Sequence, residues 1–397
     1  MTVARIFLLP ILLWSGALVV TRVAVASPED CGMVTAASAR AAARAAGEWL
    51  IRGQAPDGRY TYEYFPDEQR VGSDYNIVRH AGVTMSLYQL AGKLDDDAAM
   101  QAADLGLAWE LERLVGMDDW LALSDDDTPR LGATALMVAG LAERRLATGD
   151  EQYDDIMLSL GNFLVKLQRP DGGFYVQWYM ATNEPDRIST SIYFPGEAMW
   201  ALALLHEALP GHGFDAAAYR AGDFIALYRD EVENIKWPPL NDHWASYGMA
   251  EMAEWGLPQH QIDYARRLAE RFGFLMRLEA QNQADYYFDE QRGDPRRAAS
   301  LGTWVEGTSA LWRLSALDPR MADMQDDILE RAACGAGMLI ARQYPAAAGP
   351  ELAGAWVELG VTRMDDQQHA ISGLLYTADA LEGRTERGPD PPEGTNP

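Results

Sequence analysis

Six stretches of small and apolar residues at helical spacing recur along this chain, each led in by polar or aromatic residues, and no other feature limits the fold as strongly. They are Asp74 to Leu90 (DYNIVRHAGVTMSLYQL), Arg130 to Gly140, Ser191 to Leu205, Asp242 to Met252, Ser300 to Leu314 and Met364 to Leu381. Between them lie six amphipathic stretches with Arg, Glu and Asp faces: Ala36 to Ile51, Asp96 to Val115, Glu151 to Leu167, Ala216 to Glu231, Gln259 to Arg277 and Ala322 to Arg342. Nearly uncharged helices of small residues suit a crowded inner ring, and one-sided charged helices suit an outer ring facing water. A repeat of roughly 50 to 65 residues has room for two helices and a loop. Six alternations therefore predict an all-α (α/α)6 toroid.

Two connectors after outer helices share one form, Q-x-P-D-G-x-aromatic. They are Gln54-Ala55-Pro56-Asp57-Gly58-Arg59-Tyr60 and Gln168-Arg169-Pro170-Asp171-Gly172-Gly173-Phe174. Proline at the second position of a turn and glycine at its end account for Pro-Asp-Gly architecturally. The alternating residues that follow, Tyr60/Tyr62/Tyr64 and Phe174/Val176/Trp178, predict short β-hairpins on one rim.

The first 26 residues read as an export signal: Arg5, an apolar run from Ile6 to Val20, and Ala24-Val25-Ala26 before Ser27. That run is short for a membrane span. The expected mature chain is exported to the periplasm or secreted, with no membrane span, a barrel over 27–382 and a disordered tail over 383–397. The 33 Lys and Arg face 59 Asp and Glu, a formal charge of −26. Such a balance argues against nucleic acid as a partner, since that binding needs clustered basic residues. A solvated acidic surface suits an exported protein, and a local cationic pocket for an acidic ligand remains compatible with it. Cys31 and Cys334 are the only cysteines. An even count in an exported chain invites pairing, and in a closed ring the first and last outer helices are neighbours, so a bridge would staple the closure. Two separate thiols are the alternative.

The helix pairs and Q-x-P-D-G turns resemble the six-hairpin glycosidase-like superfamily of (α/α)6 barrels over roughly residues 36 to 381. The turns are also similar to those of terpene-cyclase and prenyltransferase toroids. Gln368-His369-Ala370-Ile371-Ser372 and Pro195-Gly196-Glu197-Ala198 resemble motifs of sugar epimerases. The glycosidase-like resemblance implies action on an oligo- or polysaccharide at one end of the barrel, by hydrolysis, elimination or epimerisation.

On such a scaffold, residues at the starts of the inner helices converge on the axis. These include Asp74, Arg79, His80, Arg130, Tyr193, Glu197, Asp242, His243, Tyr247, Trp304, Glu306, Asp365, Asp366 and His369. Three readings follow. Glycoside hydrolysis needs two carboxylates flanking the scissile bond; Glu197 and Glu306 are the first pair, with Asp74 and Asp366 in reserve. An epimerase or lyase would use His80, His243 and His369 as acid/base groups, with Arg79 holding a carboxylate. Arg130, Tyr193, Tyr247 and Trp304 would bind substrate in either case. The third reading is a non-catalytic toroid that binds a glycan or a partner protein in the envelope. No cofactor is expected. H-E-x-x-H, C-x-x-C, a P-loop and G-x-S-x-G are all absent from the sequence, and no metal site is expected. The runs Asp95-Asp96-Asp97 and Asp125-Asp126-Asp127 read as solvated helix starts or loops.

Overall fold

The computed structural model describes residues 2–21, 28–282 and 294–388. Twelve barrel helices are numbered here in chain order, odd numbers outside and even numbers inside. The outer ring is α1 (Ala36–Arg52), α3 (Asp97–Leu111), α5 (Asp154–Leu167), α7 (Phe214–Leu227), α9 (Gln259–Ala280) and α11 (Gln325–Arg342). The inner ring is α2 (Ile77–Leu94), α4 (Leu131–Thr148), α6 (Phe194–Ala208), α8 (His243–Glu251), α10 (Ala298–Leu317) and α12 (Met364–Leu381). Each inner helix packs on the next, and α12 returns to α2, so the ring is closed.

Local chemistry sets these boundaries. Thr35 caps α1 by accepting the Ser38 N–H, Asn76 caps α2 through the Val78 and Arg79 N–H groups, and Asp96 caps α3. The buried face of α1 falls on Ala39, Ala42, Ala43, Ala46, Trp49 and Leu50, one side of a helix. In α2 and α4 nearly every side chain is buried, as expected of inner helices covered on all sides.

The Q-x-P-D-G turns clamp neighbouring outer helices together. Gln54 Nε2 donates to the Gly58 and Ala102 carbonyls, joining the end of α1 to α3, and Gln168 Nε2 donates to Gly172 and Ala217, joining α5 to α7. Gly58 and Gly172 have φ of +94° and +89° and press on the Leu105 and Arg220 carbonyls, positions that admit only glycine. A third glutamine was not recognised as part of this pattern. Gln343, after α11, bonds Gly354 and then Ala42 in α1, which makes it the clamp across the closure.

Short strands decorate one rim: β1 (Glu63–Phe65), β2 (Arg70–Val71), β3 (Leu114–Met117), β4 (Trp120–Asp125), β5 (Thr128–Pro129), β6 (Trp178–Tyr179), β7 (Glu184–Pro185) and β8 (Thr362–Arg363). β1 lies between β2 and β8, so the connector after α1 pairs with the one before α12. The β3-β4-β5 sheet is a departure from expectation: the second outer helix stops at Leu111 instead of reaching Val115. Trp120 is the reason, because its ring must be buried against Phe163 of α5 at 5.1 Å. Asp126 and Asp127 form the β4-β5 turn with positive φ.

A helix spans Thr2–Val20 ahead of the barrel, with Leu8 to Val20 exposed. The expected cleavage site at Ala24-Val25-Ala26 lies outside the described residues. Among the described residues, no helix is long and apolar enough to cross a membrane. The expected tail needs a correction over 383–388, because buried acids at the far end of the barrel recruit its arginines. Arg387 reaches Glu143 at 2.8 Å, Glu251 at 3.3 Å and Glu207 at 3.4 Å, and Arg384 pairs with Asp379. Residues 389–397 lie outside the described residues.

Cys31 and Cys334 form a disulfide between residues 303 positions apart. Replacing both by serine should lower the unfolding free energy by an amount on the order of 5 kcal/mol, the loop-entropy value for so long a closure. Urea unfolding of the double variant, beside wild type with and without reductant, measures this; equal midpoints would show that the bridge contributes nothing.

Candidate active site

The N-terminal ends of the six inner helices open into a cleft of about 720 Å³, and every inner helix contributes at least one wall residue. Glycine makes room for it. A Cβ on Gly132 would lie 2.3 Å from Glu197 Oε2, and one on Gly302 would lie 2.7 Å from the His369 backbone and Cβ. Site side chains of one inner helix thus occupy the space that the preceding helix leaves empty.

At the centre is a histidine–glutamate pair bridging α10 and α12. His369 Nδ1 donates to Glu306 Oε2 at 2.7 Å, so the ring's Nε2 is the nitrogen left for the cleft. Glu306 is fully buried beneath it and is not part of the cleft wall. Burial works to discharge His369, but the Glu306 carboxylate, with Asp365 and Asp366 behind it, holds its pKa above the ordinary imidazole value. Burial likewise raises Glu306, against the pull of His369. His243, the first residue of α8, meets His369 edge-on with ring centres 5.1 Å apart. Burial, then the charge on His369, pushes its pKa well below the usual value, so His243 is neutral. Among the described residues, neither of its nitrogens has a hydrogen-bond partner.

Two caps fix these histidines. Asp242 accepts the Ala245 N–H at 3.1 Å and pairs with fully buried Arg229, which anchors the start of α8. Asp366 accepts the Ala299 and Arg363 N–H groups, both at 3.0 Å, and pairs with Arg297 at 2.6 Å, tying α12 to α10.

The structure sorts the residues expected from sequence. Arg79, Arg130, Tyr193, Glu197, His243, Trp304 and His369 line the cleft. Glu197 comes from α6, across the ring from α12; burial, then nearby Asp242, raises its carboxyl to about 8, and its Oε2 has no hydrogen-bond partner among the described residues. Besides Glu306 and Asp242, four expected site residues lie off the cleft wall. Asp74 sits on an exposed connector. Asp366 is a buried cap. Tyr247 is buried under the site, stacked on Trp200 at 4.8 Å, and borders a small void on the far side. His80 points outward between α2 and α3, accepting from Tyr75 through Nδ1 at 2.7 Å and donating to the Gly106 carbonyl at 3.0 Å. Burial lowers its pKa to about 3, and a satisfied core imidazole is its role.

Arg271, Arg296, Arg363 and Gln368 also line the cleft and were not foreseen. Arg363 could have been found by analogy, because Arg130, Arg297 and Arg363 all occupy the residue just before an inner helix. Arg271 gave no signal, since it lies on an outer helix where a charged residue reads as solvated. The nearest atoms of His243, Glu306 and His369 fall within 4.8 Å of one another, a donor set that suits a divalent cation. Binding one through these atoms would replace the hydrogen bond between Glu306 and His369.

No protein-family model matches the chain, and no curated protein matches it in sequence. Its fold, by contrast, is widely shared. A cellobiose 2-epimerase from Spirochaeta thermophila superimposes with a TM-score of 0.60 at 15% identity, covering 87% of this chain and 98% of that one. An unsaturated glucuronyl hydrolase specific for heparin gives 0.59 at 11%, covering 88% and 99%. A type II terpene cyclase from Scytonema gives 0.55 at 13%, covering 87% and 98%. The fold shared with these structures is the (α/α)6 barrel. Carbohydrate-processing enzymes are prominent among the structures that share it.

Gly302→Ala should cost about 1 to 3 kcal/mol by overpacking and displace His369 from Glu306. Gly273→Ala, whose Cβ would meet only Arg331 at 3.6 Å, serves as the control. Urea unfolding and imidazole ¹⁵N shifts of the two variants test this, and an unperturbed His369 in Gly302→Ala would contradict it.

Proposed function

We propose that this chain is an exported carbohydrate-active enzyme that moves a proton on its sugar, as an epimerase or isomerase, with His369 as the base. The observation carrying this reading is the 2.7 Å bond from His369 Nδ1 to a buried carboxylate, which orients the ring and leaves Nε2 on the cleft side. A neutral His369 takes a proton from the carbon beside an open-chain sugar's carbonyl, becoming an imidazolium that Glu306 stabilises. Delivery of a solvent-exchangeable proton to the opposite face of the same carbon epimerises it, and delivery to the neighbouring carbon, with the hydroxyl proton passing to the former carbonyl oxygen, isomerises it. His243 remains neutral and has free ring nitrogens, so it is suited to donate a hydrogen bond to the carbonyl oxygen as charge develops there. Protonated Glu197 offers a second donor from the opposite wall. The epimerase among the similar structures is consistent with this chemistry. The disulfide favours an oxidising compartment, which supports export with the signal cut after Ala26.

Glycoside hydrolysis is the second reading, and the raised carboxyl of Glu197 is what favours it, since a general acid needs such a group. Its expected partner does not suit that scheme. Glu306 is committed to His369 below the cleft, so a hydrolase would need another carboxylate, and Asp365 is the one on the opposite wall.

Incubating the enzyme with a panel of aldoses, reducing disaccharides and uronates in D₂O, with NMR observation, tests the proposal. Deuterium should enter next to the anomeric carbon, and His369→Ala should slow this by about 100-fold or more. Release of new reducing ends without deuterium incorporation would instead establish hydrolysis.

Because only neutral His369 can accept a proton, kcat/KM should rise with pH through a pKa above the ordinary imidazole value. Glu306→Gln removes the stabilising charge, so the acidic limb should move to lower pH while the plateau falls. A limb that stays in place would remove Glu306 from the proton-transfer unit.

A further inference from the structure

We propose that the cleft takes an anionic saccharide, bound through an arginine wall contributed by α9 and the connectors leading into α10 and α12. The inference rests on the cleft being a sugar site and goes beyond the proton chemistry assigned to it. Over the whole chain acids outnumber Lys and Arg by 59 to 33, yet the cleft reverses that balance. Among the described residues five arginines line it, Arg79, Arg130, Arg271, Arg296 and Arg363, against three acids, Asp125, Glu197 and Asp365.

The acids do not neutralise the arginines. Asp365 is shared between two of them, at 3.1 Å from Arg363 and 3.4 Å from Arg79. Asp125 meets Arg130 at 3.5 Å on the exposed rim. Glu197 has a raised pKa and carries little charge at neutral pH. Among the described residues, Arg271 and Arg296 have no carboxylate within ion-pair distance, and Arg296 lies over the Trp304 ring at 5.9 Å. Among the described residues, the buried Nε groups of Arg271 and Arg363 have no hydrogen-bond partner. A buried donor left unpaired costs about 1 to 3 kcal/mol, more when charged, and an oxyanion would recover it.

Guanidinium groups bind carboxylate and phosphate oxygens in the same forked geometry, so both sources share this chemistry. The arginine wall adjoins Trp304, whose ring can stack a pyranose, while His369 Nε2 meets the reacting end. In this arrangement the charged substituent is held away from the proton-transfer centre.

Titration calorimetry of the full chain tests the proposal. The probes are D-glucuronate, D-galacturonate and glucose 6-phosphate, beside D-glucose, D-mannose and cellobiose, at low and high salt. At least one acidic sugar should bind about tenfold or more tightly than its neutral counterpart, as one charge-assisted contact predicts, and the preference should shrink with salt. Preference for uronates over the phosphate would identify a carboxylate, and the reverse order a phosphate. Arg271→Gln should erase most of the preference while leaving the unfolding midpoint unchanged, and Arg363→Gln should erase most of it with a lower midpoint, because it also removes a partner of buried Asp365. Equal binding of acidic and neutral sugars, no binding of acidic sugars at millimolar concentration, or a preference that survives both substitutions would overturn the proposal. Deuterium exchange into a neutral sugar alone would overturn it and leave the proton-transfer reading standing. Tight binding of a uronate with no exchange would do the opposite.

Discussion

The inner ring closes only because side chains are missing where neighbouring helices meet. Gly82 faces Gln368, Gly132 faces Glu197 and Phe194, Gly196 faces Asp242, and Gly302 faces His369. At each of these positions a methyl group would lie within 2.7 Å of its neighbour or closer. Packing and chemistry are therefore one constraint. The space left by glycine on one helix holds a polar residue of another, and a larger residue would displace that group as well as the helix carrying it.

Polar groups held so deep need partners, and most of the charges have them. Arg229 answers Asp242, Arg297 answers Asp366, Arg313 answers Glu251, and Lys93 answers Asp379. Removing one member of such a buried pair typically costs about 3 to 5 kcal/mol, because the other is left stranded. Among the described residues some buried atoms have no hydrogen-bond partner, and several of them, Glu197 Oε2, both nitrogens of His243 and the Nε atoms of Arg271 and Arg363, belong to residues of the cleft wall. There a ligand is the natural partner.

The toroid was legible because helical periodicity and residue size are local signals: charged one-sided helices and small-residue helices alternate six times. The sheet from Leu114 to Pro129 was hidden, since a short apolar run such as Trp120 to Leu123 reads equally well as the continuation of a helix. Site residues were partly legible for the same reason. Inner-helix starts had to converge, and Glu197, His243 and His369 do line one cleft. His80 has the same local context and faces the other way, because the two sides of a helix cannot be told apart when both are small and apolar. The link between Glu306 and His369 spans 63 residues and cannot be read without the ring that brings α10 and α12 together.

Closure also governs when the barrel can exist at all. Helix α1 packs mainly against α12, and Arg40 on α1 bonds Glu382 across 342 residues. The glutamine clamp and the disulfide join the same two ends of the chain. As the polypeptide emerges from its N-terminus, the alanine-rich face of α1 has no cover until nearly the last helix has been made. Contacts so distant in sequence form slowly, and an open ring exposes apolar surface to other chains in the meantime. A nascent chain stalled before α12 would thus be an aggregation hazard rather than a smaller barrel, and its first helix would be among the last to find its partner.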